Sequence, residues 1–380
     1  MVDLSTNIGG IHLPTCIYNA SGPRTGSTEA LVKIASSKSG AVLAKSATLV
    51  AQKGNDLPRY VNEIDLGPVA CMGSMNSEGL PNLGFDYYNS AENAADVLAA
   101  MNEPKPFILS LSGLKLADNI DMIKSALKND AAASIELNLA CPNIPGKPTI
   151  AYDFAQMADV LTAVGKIRGI RSKPLGVKLA PYFDMPHMAE AANIINSNKA
   201  FVKYVVTCNT IGNGLIVDAE NEMAKIVPKG GYGGLAGGYI KYTALANVKK
   251  LRELIDESID IVGVGGVRTG TDAFELILCG ASAVQVGTTH WTEGAVCFER
   301  ILGELGELMK SKGYGRIEDF RGKLKEYKRV PRSKKSTATA TATATATTAT
   351  ATVFGPVHAL CIVLMAIVAF LVAERAKLQL

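Results

Sequence analysis

From the N-terminus to about residue 330, short apolar runs alternate with amphipathic stretches. The runs 17–20, 41–44, 106–111, 134–138, 175–179, 203–207, 260–264 and 283–286 are each too short for a helix and are bounded by polar loops, which is the pattern of buried strands. Between and after them lie stretches with helical periodicity, among them 117–128, 153–170, 186–196, 242–255, 271–279 and 293–309. Eight strands alternating with helices predict an α/β fold of the (β/α)8 type, a TIM barrel. A doubly wound open sheet is the alternative, but no GxGxxG follows the first strand. The long insert 49–90 is rich in Gly, Asn and Pro, so it is expected to carry no helix and to arch over the barrel mouth as a cover.

The pattern changes near residue 330. The segment 326–335 is basic, and 336–352 contains only Ser, Thr and Ala, a composition that cannot build a core. Residues 353–373 then run without a charge, and 374–380 form a short polar terminus. The charge-free run approaches the roughly 20 residues that a bilayer crossing needs. The expected organisation is a catalytic barrel over 1–325, a linker over 326–352 and a transmembrane tail anchor over 353–373. The plainer readings of 353–373 are a buried helix of the globular body, which the intervening spacer disfavours, or a frameshifted tail.

Composition narrows the function. With 39 basic and 35 acidic residues the net charge is +4, too balanced for a protein that grips nucleic acid through a basic face. The seven cysteines are scattered with no CxxC pair, which argues against a disulfide framework or a zinc site and for a reducing intracellular compartment. The first residues carry no basic start and no apolar run, so no signal peptide is visible. A cytoplasmic catalytic domain, tail-anchored to an intracellular membrane, is the expected location, with no metal and no nucleic acid as partner.

The polar clusters sit just past the predicted strands, where a barrel places its chemistry. They are NASG (19–22), AKSATL (44–49), NLACPNIPGKP (138–148), VKLAPYFD (177–184), TCNTIGNG (207–214), GVGGVRTG (263–270) and QVGTTH (285–290). Gly265, Gly266, Gly287 and Thr288 offer unobstructed backbone N–H groups in the loops after strands seven and eight, with helices expected to open near Thr271 and Glu293. That is where barrels commonly bind phosphate. Gly237 and Gly238 of GGYGGLAGGYIK (230–241) could approach the same ligand. Lys45 and Lys178 end apolar runs, so they point either to water or into the mouth, where they would suit an electron-rich ring or a carboxylate. Asn76, Asn82, Asn138, Asn143 and Asn209 are each unremarkable as turn residues, but together they could pair with a planar ligand bearing imide groups. Cys141 is either a buried inert thiol or a nucleophile or base on a loop stiffened by prolines. No histidine lies near it in sequence, which leaves a Cys–His hydrolase unsupported.

These motifs, together with AKS (44–46) and NSEGLPN (76–82), resemble the dihydroorotate dehydrogenase family, in the same order over roughly residues 1–320. The resemblance is to the class 1A, fumarate-dependent members. A cysteine occupies the base position, NSEGLPN has the class 1A form, and no membrane-binding extension precedes the barrel. The resemblance implies an FMN enzyme of pyrimidine biosynthesis that oxidises dihydroorotate to orotate, is homodimeric and passes electrons to fumarate. It implies Cys141 as the base at C5. Such a thiol, with an ordinary pKa of about 8.5, makes activity rise with pH. It implies substrate contacts from Lys45, Asn76, Ser77, Gly79, Leu80, Asn82, Asn138, Asn143, Asn209 and Thr210. For FMN it implies Ala20, Ser21, Lys45, Ser46, Asn138, Lys178, Cys208, Gly237, Gly238, Gly265, Gly266, Gly287 and Thr288. The chain departs from the family pattern at Ala140, usually serine, at Glu78, commonly apolar, and in its tail. The competing readings are the NAD-linked class with an iron–sulfur partner subunit, and a catalytically inactive, membrane-attached scaffold.

Overall fold

The computed structural model describes residues 2–65, 72–141 and 149–327. Eight parallel strands form one ladder in the order Ile17–Asn19, Ala283–Val286, Asp260–Val264, Val202–Thr207, Leu175–Lys178, Ala132–Asn138, Phe107–Leu111 and Val42–Leu43. The two edges of that ladder are the first and second strands, and they meet. The Gly40 N–H donates to the Ile17 carbonyl at 2.8 Å. The Asn19 amide donates to the Leu43 carbonyl at 2.7 Å and accepts from its N–H at 3.0 Å. The sheet is therefore closed into the expected barrel, partly by a side chain that substitutes for a backbone ladder.

All eight expected strands are present, with no end shifted by more than two residues. Helices follow at Leu116–Ala126, Phe154–Gly165, Met185–Ser197, Lys241–Leu254, Gly270–Leu278 and Val296–Ser311. Asp153, Asp184 and Thr269 cap three of them, each side chain accepting a backbone N–H of the first turn. The helix expected over 293–309 is in fact two, Thr288–Glu293 and Val296–Ser311. Gly294 separates them at φ +78°, a left-handed conformation that ends the first helix. The first of these starts at Thr288, five residues before the expected start, with Gly287 as its N-cap.

The core has two layers. Outside the strands, residues such as Ile34, Leu137, Val205 and Phe298 pack the sheet against the helices. Inside the barrel, Tyr18, Leu43, Ile108, Tyr204, Val206 and Val262 are fully or almost fully buried, each large apolar side chain contributing roughly 2 kcal/mol. Gly176 makes room for this packing, since a Cβ there would lie 2.1 Å from the Tyr204 ring. A hairpin, Thr6–Ile8 with Ile11–Leu13, inserts Ile8 and Leu13 into the same cluster. It is fastened at the N-terminal strand ends, Thr6 Oγ1 donating to the Ser282 carbonyl and Gly9 N–H to Asp260. The hairpin thus plugs the end of the barrel opposite the polar loops.

The loops after the second and sixth barrel strands combine into a second, antiparallel sheet in the order Ile211–Leu215, Tyr232–Gly237, Met72–Asn76 and Tyr60–Asp65. The expectation that 49–90 carries no helix is corrected. Past Gly84, at φ +88°, a short helix Phe85–Asn89 forms because Phe85 and Tyr88 are buried in the outer core layer. No helix among the described residues is long and apolar enough to cross a membrane. The expected tail anchor at 353–373 lies outside the described residues, as does nearly all of the linker.

Candidate active site

The strand ends and the second sheet enclose a pocket of about 1110 Å³, its open mouth included. Side chains just past the first, second and fourth strands line it and hold one another. Ser21 Oγ lies 3.1 Å from Ser46 Oγ, which is 2.8 Å from Ser110 Oγ and accepts from Asn138 Nδ2 at 3.1 Å. This fixes the Asn138 rotamer and turns its Oδ1 to the Ala140 N–H, at 3.0 Å. Asn209, past the sixth strand, donates to the Ala140 carbonyl at 2.6 Å. The residue before Cys141 is thus clamped through its backbone on both sides, with no demand on its side chain. Cys141 lines the pocket and is half-buried. Cys208 also lines the pocket but is buried, which pushes its thiol up to about 12, so it stays protonated.

Lys45 and Lys178 both face the pocket, only 7% and 5% exposed. Neither ammonium has a hydrogen bond or ion pair with a described residue. Burial pulls both below the ordinary lysine range, opposed at Lys45 chiefly by the charge of Glu78 and at Lys178 by that of Glu136. Both lysines also interact electrostatically with Cys141, an attraction that favours its thiolate. Glu136 lies fully buried inside the barrel, and burial raises its pKa against the pull of Lys178. One of its oxygens accepts from Gln285 Nε2 at 2.8 Å, and the same amide donates to Tyr18 Oη at 3.2 Å.

A glycine-walled recess completes the pocket. Gly237, Gly265 and Gly266 all have positive φ. A Cβ on Gly266 would fall 2.5 Å from Lys241 Cβ and 3.2 Å from the Gly237 carbonyl, so only glycine fits there. Gly287 and Thr288 line the recess, and Thr288 Oγ1 lies 2.9 Å from Ser74 Oγ. Two buried ammonium groups without a hydrogen-bond or ion-pair partner among the described residues, and a recess of exposed backbone, suit a ligand with an anionic tail and an electron-rich ring. A flavin mononucleotide fits that description.

Ala20, Asn76, Gly79, Leu80 and Thr210 also line the pocket. Leu80 holds a positive φ of 55°, and its carbonyl accepts from Asn82 Nδ2 at 2.8 Å. Three expected contacts are not among the lining. Ser77 is wholly buried, Gly238 opens a short turn beyond the recess, and Asn82 is turned inward to Thr48, Leu80 and Gly84, which makes it a brace of the cover loop. Asn143 lies outside the described residues. Several lining residues were not anticipated. Tyr60 stacks on Trp291 with ring centroids 4.1 Å apart, and Arg24 donates to the Trp291 carbonyl at 2.7 Å. Trp291 is the single tryptophan of the chain and directly follows the eighth-strand motif, a signal that could have marked it. Gln285 also reaches the pocket, and Glu78 lines its mouth.

The sequence profile of a family described as dihydroorotate dehydrogenase matches residues 3–309. The chain is 44% identical over 328 residues to "Dihydroorotate dehydrogenase A (fumarate)" of Lactococcus lactis subsp. cremoris, covering 85% of this chain and 99% of that protein. The protein of the same description from Lactococcus lactis subsp. lactis gives the same identity and coverage. Among solved structures, Eimeria tenella DHODH in complex with ferulenol superposes with a TM-score of 0.67 at 22% identity, over 84% of this chain and 88% of that one. Its ligand-free form gives a TM-score of 0.67 at 21% identity, over 85% and 92%. At such identity these two structures speak for the barrel fold.

Proposed function

This chain belongs to the dihydroorotate dehydrogenase family, and from that footing we propose that it oxidises dihydroorotate to orotate for pyrimidine biosynthesis, with FMN as cofactor and fumarate as electron acceptor. One arrangement carries the reading. The thiol of Cys141, the ammonium groups of Lys45 and Lys178 and the amides of Asn76, Asn138 and Asn209 meet at a single pocket beside a glycine-walled recess.

FMN, when bound, supplies a flavin ring that takes up the C6 hydride of the substrate. Lys178, Ser46, Asn138, Ala20 and Ser21 would flank that ring, with Gly237, Gly265, Gly266, Gly287 and Thr288 around its phosphate. Lys45 holds the substrate carboxylate, since of the two buried lysines it is the one that also lines the outer groove. Asn76 and Thr210 offer polar contacts to the substrate ring, and Leu80 covers it. Cys141 Sγ takes the C5 proton. The two lysines lower the energy of the thiolate that this step needs. Asn138 and Asn209 hold the backbone of Ala140, the residue before Cys141, which keeps the base from drifting off the proton. The exclusion of water by Leu80 and the cover sheet strengthens these charge contacts.

Anaerobic addition of dihydroorotate to the purified holoenzyme tests the proposal. Bleaching of the flavin absorbance with stoichiometric orotate is the expected result. A flavin that stays oxidised, while dithionite still reduces it, would remove the assignment.

Three further features belong to the proposal. The enzyme works as a homodimer, in line with the family. Residues 1–325 form the catalytic domain, located in the cytoplasm. Residues 353–373 anchor it to an intracellular membrane through the 326–352 linker, a reading supported by the charge-free run behind a Ser/Thr/Ala spacer.

A further inference from the structure

Glu78 places a carboxylate where the family pattern carries an apolar side chain, and its surroundings give that charge two alternatives. Glu78 and Lys45 both line the inner pocket and the outer groove that leads to it. Glu78 Oε1 lies 3.8 Å from Arg59 Nε, and its side chain is only 14% exposed. The Arg59 guanidinium cannot follow it inward. Its Nη1 donates to the carbonyls of Lys53 and Asn55, both at 2.9 Å. The Glu78 backbone is fixed too, its carbonyl accepting from Asn55 N–H at 2.9 Å. Only the Glu78 side chain is left to move, between a tethered guanidinium on one side and a buried ammonium on the other. That ammonium has no hydrogen bond or ion pair to a described residue, and Glu78 is its largest favourable charge neighbour.

We propose that Glu78 is a built-in counter-anion of Lys45, which competes with incoming carboxylates and sets the preference of the site for monoanions over dianions. The inference rests on the reaction proposed above, in which a monocarboxylate substrate and a dicarboxylate acceptor use one site in turn. In the free site Glu78 tempers the charge of the desolvated Lys45. A carboxylate that takes Lys45 leaves Glu78 to Arg59, at a modest cost. A second carboxylate on the same ligand stands near Glu78 and meets like charge in a poorly solvated mouth, where repulsion is several-fold stronger than in water.

The test is calorimetric titration of the oxidised holoenzyme with orotate, fumarate and monomethyl fumarate. The last two share a shape and differ by one charge. Glu78→Gln, which keeps the shape of the side chain, is expected to bind orotate and monomethyl fumarate about fivefold more tightly and fumarate about 25-fold more tightly. The gains should shrink as salt screens the charges. Glu78→Asp, which keeps the charge, should retain the wild-type ratio of fumarate to monomethyl fumarate affinity. Equal gains for the dianion and the monoanion, or the same change in the Gln and Asp variants, would overturn the proposal and reduce Glu78 to a structural brace. Failure of the underlying reaction shows separately, as a wild-type flavin that dihydroorotate does not bleach. The fumarate pair still reads the electrostatic claim in that case.

Discussion

Asn209, just past the sixth barrel strand, donates its side-chain amide to the carbonyl of Ala140, just past the fourth, at 2.6 Å. That bond spans 69 positions of sequence and fixes the residue next to Cys141. It also explains how alanine can stand where serine is usual in the family. The clamp from Asn138 and Asn209 grips the Ala140 backbone, not its side chain. Asn209→Ala should therefore retain FMN and slow flavin reduction by dihydroorotate roughly tenfold to 100-fold, in line with a misplaced base. A stopped-flow reduction rate within twofold of wild type would separate Asn209 from the positioning of Cys141.

Cys141→Ala should keep the flavin and lose its reduction by dihydroorotate, because proton removal at C5 then has no base, an effect of at least about 100-fold. Reduction by dithionite should be unaffected. Rapid bleaching of the variant by dihydroorotate would place the base elsewhere.

Asn19 closes the barrel seam by satisfying both backbone groups of Leu43, and it is completely buried. Asn19→Leu leaves a buried N–H and a buried carbonyl without partners, at about 1–3 kcal/mol each. The variant should unfold at lower urea concentration, with a loss of about 3 kcal/mol or more and an unchanged slope. Stability near that of the wild type would mean that the seam is held by the Gly40 to Ile17 bond and packing alone.

The barrel was legible because its strands are short, mainly apolar runs that end in polar loops. The antiparallel cover sheet was not. Its strands come from residues 60–65, 72–76, 211–215 and 232–237, and segments such as Tyr232–Gly237 carry no alternation that survives their glycines. Their pairing is decided by contacts between distant loops, which no local window contains. The same limit applies in the site. Lys45, Asn138 and Lys178 end strands, where a side chain can turn into the mouth. Glu136 and Gln285 sit within strands and pair across the barrel interior, so nothing in their local sequence marked them for the site. Asn82 shows the converse. It belongs to a motif that resembles a substrate loop, yet its amide groups are spent on Thr48, Leu80 and Gly84.

His290 gives the acid limb of stability. It is buried against Phe298, and desolvation, helped by Arg24, lowers its pKa to about 4 from the ordinary 6.5. The unfolded chain therefore takes up this proton first as pH falls. The contribution is intact above pH 6.5 and is lost progressively between there and pH 4. Relative to His290→Gln, the wild type should lose about 2 kcal/mol between pH 7 and pH 5. Parallel urea midpoints for the two proteins across that range would assign the acid sensitivity to other groups.

Deleting residues 336–380 removes the Ser/Thr/Ala spacer and the charge-free run that follows it. The truncated enzyme should remain in the supernatant with full turnover, and the intact chain should sediment with membranes and resist extraction by high salt. Full-length protein found in the supernatant without detergent would end the anchor proposal and leave the chemistry of the barrel untouched.

The electron acceptor tests the class of the enzyme. Orotate and fumarate are both flat and carboxylate-bearing, and of the two buried lysines Lys45 is the one that also lines the outer groove, so one site can serve each in turn. Oxidation of the substrate leaves the flavin reduced, and orotate must depart before fumarate can occupy the same contacts. On the proposed mechanism Cys141, protonated in the first half-reaction, then holds the proton that fumarate needs to become succinate. The kinetics should be ping-pong, with orotate competitive against fumarate. Anaerobic assays that supply fumarate, a soluble quinone or NAD separately distinguish the alternatives. Fumarate should give the fastest turnover. Faster turnover with the quinone, or orotate that inhibits without competing against fumarate, would mean that the electrons leave by another route and that Lys45 does not serve both half-reactions.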